Sequence, residues 1–337
     1  MYMRGVLQNN LKNYSGKTHM YINDKMIEQL PSSPIKDIIT NNRQCFDAGF
    51  ISVDVTVFYY FSSGMRSKYE ATHSGSFCDE LMRLSETDCQ RAFAYGCWAH
   101  LIQDSVSHNE YVYERIKTYF APNFPFHPIF ELTPEAHIIK THGESYTRLQ
   151  YSLKPLLNDP ILMNKFQQAV SKLTVINVKD EVKRFDEVIG DPEGFYTRAF
   201  GIPDVYKTFA YGNRTYGLIF LVSGIGLVGL SLKYKKRFFL ILPIIFLILP
   251  GGFFLIGGIA GITSNADFDE YMNKCIDRSI SVFQSSGWVT RYNYDPTGFA
   301  KLEEASSSVM FVWYLIGIGL ISLISLYVYL KLKRKRR

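Results

Sequence analysis

The chain contains a long apolar stretch, from Phe238 to Thr263, in which no side chain carries a charge. This exceeds the roughly 20 apolar residues that a helix needs to cross a bilayer. Shorter apolar segments precede and follow it, so we predict three membrane-spanning helices, at about residues 216–232, 238–261 and 309–330. A helical hairpin buried in a large soluble core is the alternative for the first two, and the missing charges argue against it.

The histidines have the opposite distribution. All seven lie between His19 and His142, and none lies in the rest of the 337-residue chain. Composition therefore divides the sequence into two parts. We predict a histidine-bearing domain over residues 1–212 and a membrane domain over residues 213–337.

Much of the formal net charge of +6 lies in two short basic clusters, Lys233–Arg237 and Lys331–Arg337. Both flank predicted spans, as cytoplasmic anchoring charges do, so we expect no nucleic-acid partner. With both clusters cytoplasmic, the chain is a multi-pass integral membrane protein whose C-terminus is cytoplasmic. Its N-terminal domain and its loop 263–308 are then extracytoplasmic.

The start of the chain complicates this topology, because residues 1–21 show no apolar core of a signal peptide. Three explanations are open. The first span exports the N-terminal domain, a leader precedes Met1, or the orientation is the opposite one.

Hydrophobic periodicity predicts an all-α fold for the histidine-bearing domain, because strict alternation is scarce and Asn-Gly or Asp-Gly turns are missing. One further helix, 266–284, falls in the loop between the second and third spans, and we expect it to pack against this domain. The other predicted helical segments are 21–30, 44–61, 77–84, 89–117, 137–157 and 164–188.

Five cysteines show no CxxC spacing, which argues against a zinc ribbon or a thioredoxin-like site. Cys89 and Cys97 lie too far apart on one predicted helix to form a disulfide with each other. We therefore expect isolated buried thiols, a pattern that leaves the redox compartment open. The five are Cys45, Cys78, Cys89, Cys97 and Cys275.

A polar triad interrupts the apolar segment 89–117. His100, Asp104 and His108 follow one another at intervals of four residues. On a helix they share one face, with neighbouring Cβ atoms about 5–6 Å apart. Imidazole nitrogens and carboxylate oxygens are zinc ligands, and a polar stripe on a buried helix needs a partner. The triad therefore indicates a metal site.

Three further candidate ligands precede the triad. His19 lies at the start of the first predicted helix, Asp54 lies in an aromatic stretch, and His73 follows a short polar segment.

An HxxxE pair, His127 and Glu131, follows the triad, and His137 and His142 are rival candidates for that part of the site. No other catalytic motif competes, because the sequence holds no GxSxG, P-loop or HExxH.

The order of these residues resembles the zinc-dependent phospholipase C family, which is related to the S1/P1-type nucleases. The segments Thr18–Lys25 and Thr72–Gly75 and the helix carrying His100 bear the resemblance, which covers about residues 18–131. It implies an all-α domain whose helices converge on one to three Zn²⁺ ions.

The resemblance also implies roles for the upstream residues. His73, His100 and Asp104 would hold one zinc ion, and Asp104 would bridge to a second ion held by His19. Asp54 would be the carboxylate beside the water that zinc activates, acting as general base or positioning group.

The remaining ion would be held by His108, His127 and Glu131. Two features depart from the family pattern. The spacing from Asp104 to His108 is shorter than usual, and the N-terminal Trp that serves as a family zinc ligand is missing among the residues before His19.

The predicted function is therefore that of a membrane-anchored zinc-dependent hydrolase, similar to phospholipase C. Its substrate would be a phospholipid or another phosphoester, because zinc supplies hydroxide at neutral pH and anchoring keeps the site near lipid headgroups. Two alternatives are open. One is a catalytically inactive membrane subunit that uses the fold as a binding or assembly module, and the other is an S1/P1-like nuclease.

Overall fold

The computed structural model describes residues 16–59, 66–114, 152–189 and 265–285, with a few single positions between them. Every regular element in these ranges is a helix, which confirms the all-α prediction. Within the same ranges, no helix is long and apolar enough to cross a membrane. The three predicted spans lie almost wholly outside the described residues.

The first part of the described chain holds six α-helices and two helical turns of other kinds. A 3₁₀ helix follows α3, and a π-helical turn follows α6 directly. The elements are α1 Gly16–Gln29, α2 Pro34–Asn41, α3 Arg43–Ser52, the 3₁₀ helix Val53–Tyr59, α4 Arg66–Thr72, α5 Gly75–Leu84, α6 Asp88–Val106 and the π-turn Ser107–Val112.

Four more helices complete the description. They are α7 Lys154–Asn158, α8 Pro160–Ser171, α9 Val178–Ile189 and α10 Asn265–Gln284.

The sequence prediction matches most of these elements. The predicted segments 77–84, 89–117 and 266–284 correspond to α5, to α6 with the π-turn, and to α10, and the pair predicted at 164–188 corresponds to α8 and α9. The segment 44–61 divides into α3 and the 3₁₀ helix, and helices α2 and α4 are not predicted.

Helix α6 is the centre of the domain, and its sequence explains both its start and its burial. Thr87 caps its first turn by accepting from the Gln90 backbone N–H, and the Gln90 side chain reaches back to the backbone of Thr87. Most of its residues are buried on all sides, as expected for a helix that is apolar around its circumference. Helices α3, α5 and α10 pack around it.

Helices α3 and α6 cross so closely that each needs a glycine. A Cβ on Gly49 would lie 1.9 Å from the Phe93 carbonyl oxygen, and a Cβ on Gly96 would lie 2.0 Å from that of Phe46. No side chain fits at either position, because real Cβ atoms do not approach backbone oxygens this closely. The glycine pair therefore allows backbone-to-backbone packing at the crossing.

Two disulfides attach α6 to its neighbours, and the prediction of isolated thiols is wrong for four of the five cysteines. Cys45 of α3 pairs with Cys89, and Cys78 of α5 pairs with Cys97. The prediction failed because it considered a disulfide only between Cys89 and Cys97, which share helix α6. Their actual partners lie on α3 and α5. Cys275 is a free buried thiol.

Helix α10 packs against α1, α6 and the π-turn, as the sequence analysis expects. Phe268 and Tyr271 are buried in the shared hydrophobic core, and the Tyr271 ring stacks on Tyr111 with 4.9 Å between centroids. At the other end of the helix, Phe283 meets Tyr95 edge-on at 5.9 Å. A segment from the predicted membrane half of the sequence thus contributes to the core of the histidine-bearing domain.

Candidate metal centre

The long helix α6 supplies the central residues of the site. His100 and Asp104 lie one turn apart near its C-terminal end, and His108 follows on the π-turn. His100 is 2% exposed, whereas the Asp104 side chain is 17% exposed. The helix thus presents a buried imidazole beside a carboxylate that solvent can reach.

Asp54 and His73 come from neighbouring elements that are tied together. Asp54 lies on the 3₁₀ helix, and His73 directly follows α4. The Thr72 hydroxyl donates to the Val53 carbonyl at 2.7 Å and lies 2.5 Å from the hydroxyl of Thr56. These buried hydrogen bonds fix the backbone on both sides of the pair, so the two side chains face each other.

Asp54, His73 and His100 form a compact group of ligand-type atoms. The Asp54 Oδ1 atom lies 3.2 Å from His73 Nε2 and 3.7 Å from His100 Nε2. The three donor atoms lie within 4.8 Å of one another, close enough to hold one metal ion. Both imidazoles are buried and the carboxylate is partly exposed.

Asp104 lies between this group and two further histidines. Its Oδ2 atom is 3.1 Å from His100 Nε2. Its Oδ1 atom is 3.5 Å from His19 Nε2 and 3.8 Å from His108 Nε2. The two carboxylate oxygens therefore face different sets of imidazoles, which is the arrangement that a bridging carboxylate needs.

The outer nitrogens of two imidazoles are held by other groups of the domain. His19 Nδ1 lies 2.8 Å from the Gln103 side-chain oxygen, and the Gln103 amide donates to Asn23 at 2.7 Å. His73 Nδ1 lies 3.2 Å from the Tyr69 carbonyl oxygen. Contacts of this kind fix the ring orientation of metal-binding histidines and direct the other nitrogen towards the metal.

The charges of the centre stabilise one another. Burial opposes ionisation of Asp54, but His100 and His73 lower its pKa below the usual value. Burial also opposes ionisation of Asp104, and again the imidazoles of His100, His19 and His108 lower its pKa, to well below the usual value. Both carboxylates are therefore ionised at neutral pH.

The pKa of His100 is shifted in the opposite direction. Burial opposes its positive charge, yet Asp104 and Asp54 outweigh burial and raise the pKa of His100 to about 9. Without a metal, a proton on His100 supplies the cation that the two carboxylates favour. A divalent metal ion would replace that proton.

Both ring nitrogens of His73 lie next to oxygen atoms. A carbonyl oxygen only accepts hydrogen bonds, so the contact with Tyr69 places a proton on Nδ1. Nε2 then faces Asp54 Oδ1, 3.2 Å away, and either a proton or a metal ion between these two atoms would join them.

The distances and the donor types also suit zinc. Two donors on a tetrahedral zinc ion lie about 3.4 Å apart, given bond lengths of about 2.1 Å. The carboxylate–imidazole contacts of this centre range from 3.1 to 3.8 Å. His100 Nε2 lies 3.1 Å from Asp104 Oδ2 and 3.7 Å from Asp54 Oδ1, so an ion next to this nitrogen would be within reach of both carboxylates.

Six of the predicted site residues therefore lie together: His19, Asp54, His73, His100, Asp104 and His108. The structure places Asp54 among the ligand-type atoms themselves. His127, Glu131 and the rival His142 lie outside the described residues. The other rival, His137, contacts helix α10, where its Nε2 atom is 4.0 Å from Asp269 Oδ1 and its ring meets Phe268.

Sequence reasoning missed Gln103 and Asn23, which support His19. Gln103 directly precedes Asp104, and an amide within a largely apolar helical segment, three residues after His100, is the sequence signal that could have identified it. Asn23 lies one helical turn after His19 on α1. A buried amide one turn from a candidate ligand is a plain indication of a supporting role.

A comparison with protein families assigns the chain. Residues 18–187, half of the sequence, match the zinc-dependent phospholipase C family, and the chain belongs to that family. The match extends well beyond residue 131, where the resemblance in the sequence ended, and it includes helices α7 to α9. Searches among curated proteins and among solved structures give no match.

Proposed function

We propose that this protein is a membrane-anchored phospholipase C-type hydrolase that cleaves a phospholipid phosphodiester at a zinc centre. The observation that carries the proposal is the convergence of Asp54, His73 and His100 with Asp104, from the 3₁₀ helix, the end of α4 and helix α6. Family membership supports phosphoester hydrolysis and the use of zinc. Anchoring by the predicted spans supports a lipid substrate over a soluble one.

The residues of the centre have different roles in the proposed reaction. Zinc, when bound, lowers the pKa of water towards 7 and stabilises negative charge on phosphoryl oxygens. His73 and His100 would hold one ion with Asp54 or Asp104. Asp54 is ionised and 15% exposed, so it can accept the proton of the attacking water at the surface of the centre.

We further propose that a second ion binds at Asp104. Its two oxygens face different imidazoles, with His100 on one side and His19 and His108 on the other. This supports a pair of ions bridged by Asp104. Two ions would allow the centre to stabilise both the attacking and the leaving oxygen of the phosphodiester.

The location proposed for the domain is extracytoplasmic. Disulfides persist in oxidising compartments and are rare in the cytosol. The pairs Cys45–Cys89 and Cys78–Cys97 therefore support the orientation inferred from the basic clusters. Cells are denatured directly in an alkylating agent without reductant, which should modify Cys275 alone, because the other four cysteines form the two disulfides. Modification of all five cysteines would contradict this location.

Headgroup release tests the enzymatic proposal. The full chain, purified in detergent with zinc, is assayed on phosphatidylcholine vesicles for release of the phosphorylated headgroup. The wild type should release it, and His100→Ala and Asp104→Ala should not. Asp79→Asn is the matched control, because it removes a carboxylate outside the centre.

Two results would overturn this proposal in different ways. A folded, zinc-containing wild type that is as inert as His100→Ala would favour a binding or assembly module. Cleavage of single-stranded DNA without headgroup release would show a nuclease.

A further inference from the structure

Helix α10 contacts the π-turn that carries His108 through several groups at once. The π-turn, Ser107–Val112, begins directly after the helix that carries His100 and Asp104. Helices with this wider turn are rare and occur as short insertions, often at functional sites. The π-turn packs against both α6 and α10.

Tyr271 of α10 makes one of these contacts. Its hydroxyl hydrogen-bonds to the side chains of Ser107 and Cys275, and its ring stacks on Tyr111. Burial raises the pKa of Tyr271 well above its usual value, so the hydroxyl keeps its proton and can donate. Ser107 is the neighbour of His108 in the chain, so the hydroxyl of Tyr271 acts one residue away from a metal-ligand candidate.

A second contact joins the same two elements. Glu110 of the π-turn pairs with Lys274, and its other carboxylate oxygen lies 3.2 Å from the Arg278 guanidinium. Lys274 and Arg278 lie one helical turn apart on α10, so one carboxylate meets two cations of the same face. Ion pairs that are partly exposed contribute little free energy individually, so their main effect is on orientation.

We propose that Tyr271 is a positioning residue of the metal centre, which holds the π-turn and thereby sets His108 beside Asp104. The inference rests on the proposed zinc centre. It means that α10, a helix from the loop between the second and third predicted spans, helps to position a ligand of the second ion. The first ion position, at Asp54, His73 and His100, contains no residue of the π-turn and is independent of Tyr271.

A matched pair of variants isolates the hydroxyl. Tyr271→Phe keeps the ring stacking on Tyr111 and removes the hydrogen bonds to Ser107 and Cys275. Tyr95→Phe removes a hydroxyl from the other end of the α6–α10 interface, where the ring meets Phe283. Both are made in the full chain, and both are compared with the wild type.

Two measurements are made on each protein. The first is hydrogen–deuterium exchange of residues 107–112 in protein from which metal has been removed by chelation. Tyr271→Phe should exchange about fivefold faster there, the factor expected for one lost hydrogen bond. The second is zinc affinity by titration, in which one ion should bind about 10- to 100-fold more weakly and the other unchanged. Tyr95→Phe should match the wild type in both.

The outcomes separate this inference from the proposed function. If Tyr271→Phe matches Tyr95→Phe in exchange, or changes exchange without weakening either zinc ion, the positioning role is wrong while the zinc centre stands. If the wild type binds no zinc, the proposed function fails, and exchange alone then decides whether Tyr271 holds the π-turn.

Discussion

The two ends of helix α6 are held in different ways. The N-terminal half is fixed by two disulfides and by a crossing with α3 in which two glycines let the backbones touch. The C-terminal end runs into the π-turn, where hydrogen bonds and ion pairs from α10 replace covalent links. Disulfides and backbone contacts hold the N-terminal half in one position, whereas the non-covalent side-chain contacts at the C-terminal end allow small shifts.

The two proposed ion positions differ in the same way. His100 lies one turn after Gly96 and Cys97, on the covalently fixed part of the helix. His108 lies on the π-turn, where its position depends on a helix from far along the chain. We therefore expect the first ion position to be preorganised and the second to be adjustable.

Loss of His100 has the largest expected effect. His100→Ala removes a ligand from the first ion position and leaves Asp54 and Asp104 facing each other without their shared cation. The first zinc ion should be lost, and headgroup release should fall to background. His108→Ala should lose one ion only and keep measurable activity. Equal losses in the two variants would show that the two ends of α6 are not independent.

Removal of the disulfides comes next. Cys45–Cys89 spans 44 residues, and replacing both cysteines by Ala should lower the free energy of unfolding by about 4 kcal/mol. Cys78–Cys97 spans 19 residues, and the same change should cost about 3 kcal/mol. Chemical denaturation with and without reducing agent measures both. A wild type whose unfolding is unaffected by reduction would contradict the covalent account of this end.

The glycine crossing should be nearly as sensitive. Gly96→Ala would place a Cβ 2.0 Å from the Phe46 carbonyl oxygen, so the helices must separate at a cost of about 3 kcal/mol. At an open helical site the same substitution stabilises by about 0.5–1 kcal/mol. A lower unfolding midpoint in Gly96→Ala would therefore support the close crossing, and a higher midpoint would contradict it.

The smallest effect concerns Asp79, next to Cys78. Burial raises the pKa of Asp79 to about 6, and its Oδ1 atom has no hydrogen-bond partner among the described residues. A carboxyl whose folded pKa is raised contributes stability at low pH that is lost as pH rises through about 6. Asp79→Asn should therefore raise the unfolding midpoint at pH 7.5 and leave it unchanged at pH 4. Solvent screening limits the gain to about 1 kcal/mol or less.

The sequence predicted the parts of this molecule that depend on local pattern. Helical periodicity identified most of the helices but not α2 and α4, and the four-residue spacing placed His100, Asp104 and His108 on one face. The order of His19, Asp54 and His73 indicated the family and hence their convergence. These predictions succeeded because each rests on residues close in sequence or on a motif with a fixed order.

The features that sequence reasoning missed all depend on a partner from another element. The disulfide of Cys45 needs the packing of α3 on α6, and the support of His19 by Gln103 needs the packing of α1 on α6. Tyr271 lies more than 160 residues from Ser107 in the chain. No periodicity links such pairs, because only the folded arrangement brings them together.

Zinc content per chain is the most direct test of the proposed metal centre. Elemental analysis is made on the full chain as purified, for the wild type, His73→Ala and the control Asp79→Asn. We expect at least one zinc ion per chain in the wild type and in the control, and a loss of at least one ion in His73→Ala. A zinc-free wild type, or a His73→Ala variant with the full wild-type content, would contradict it.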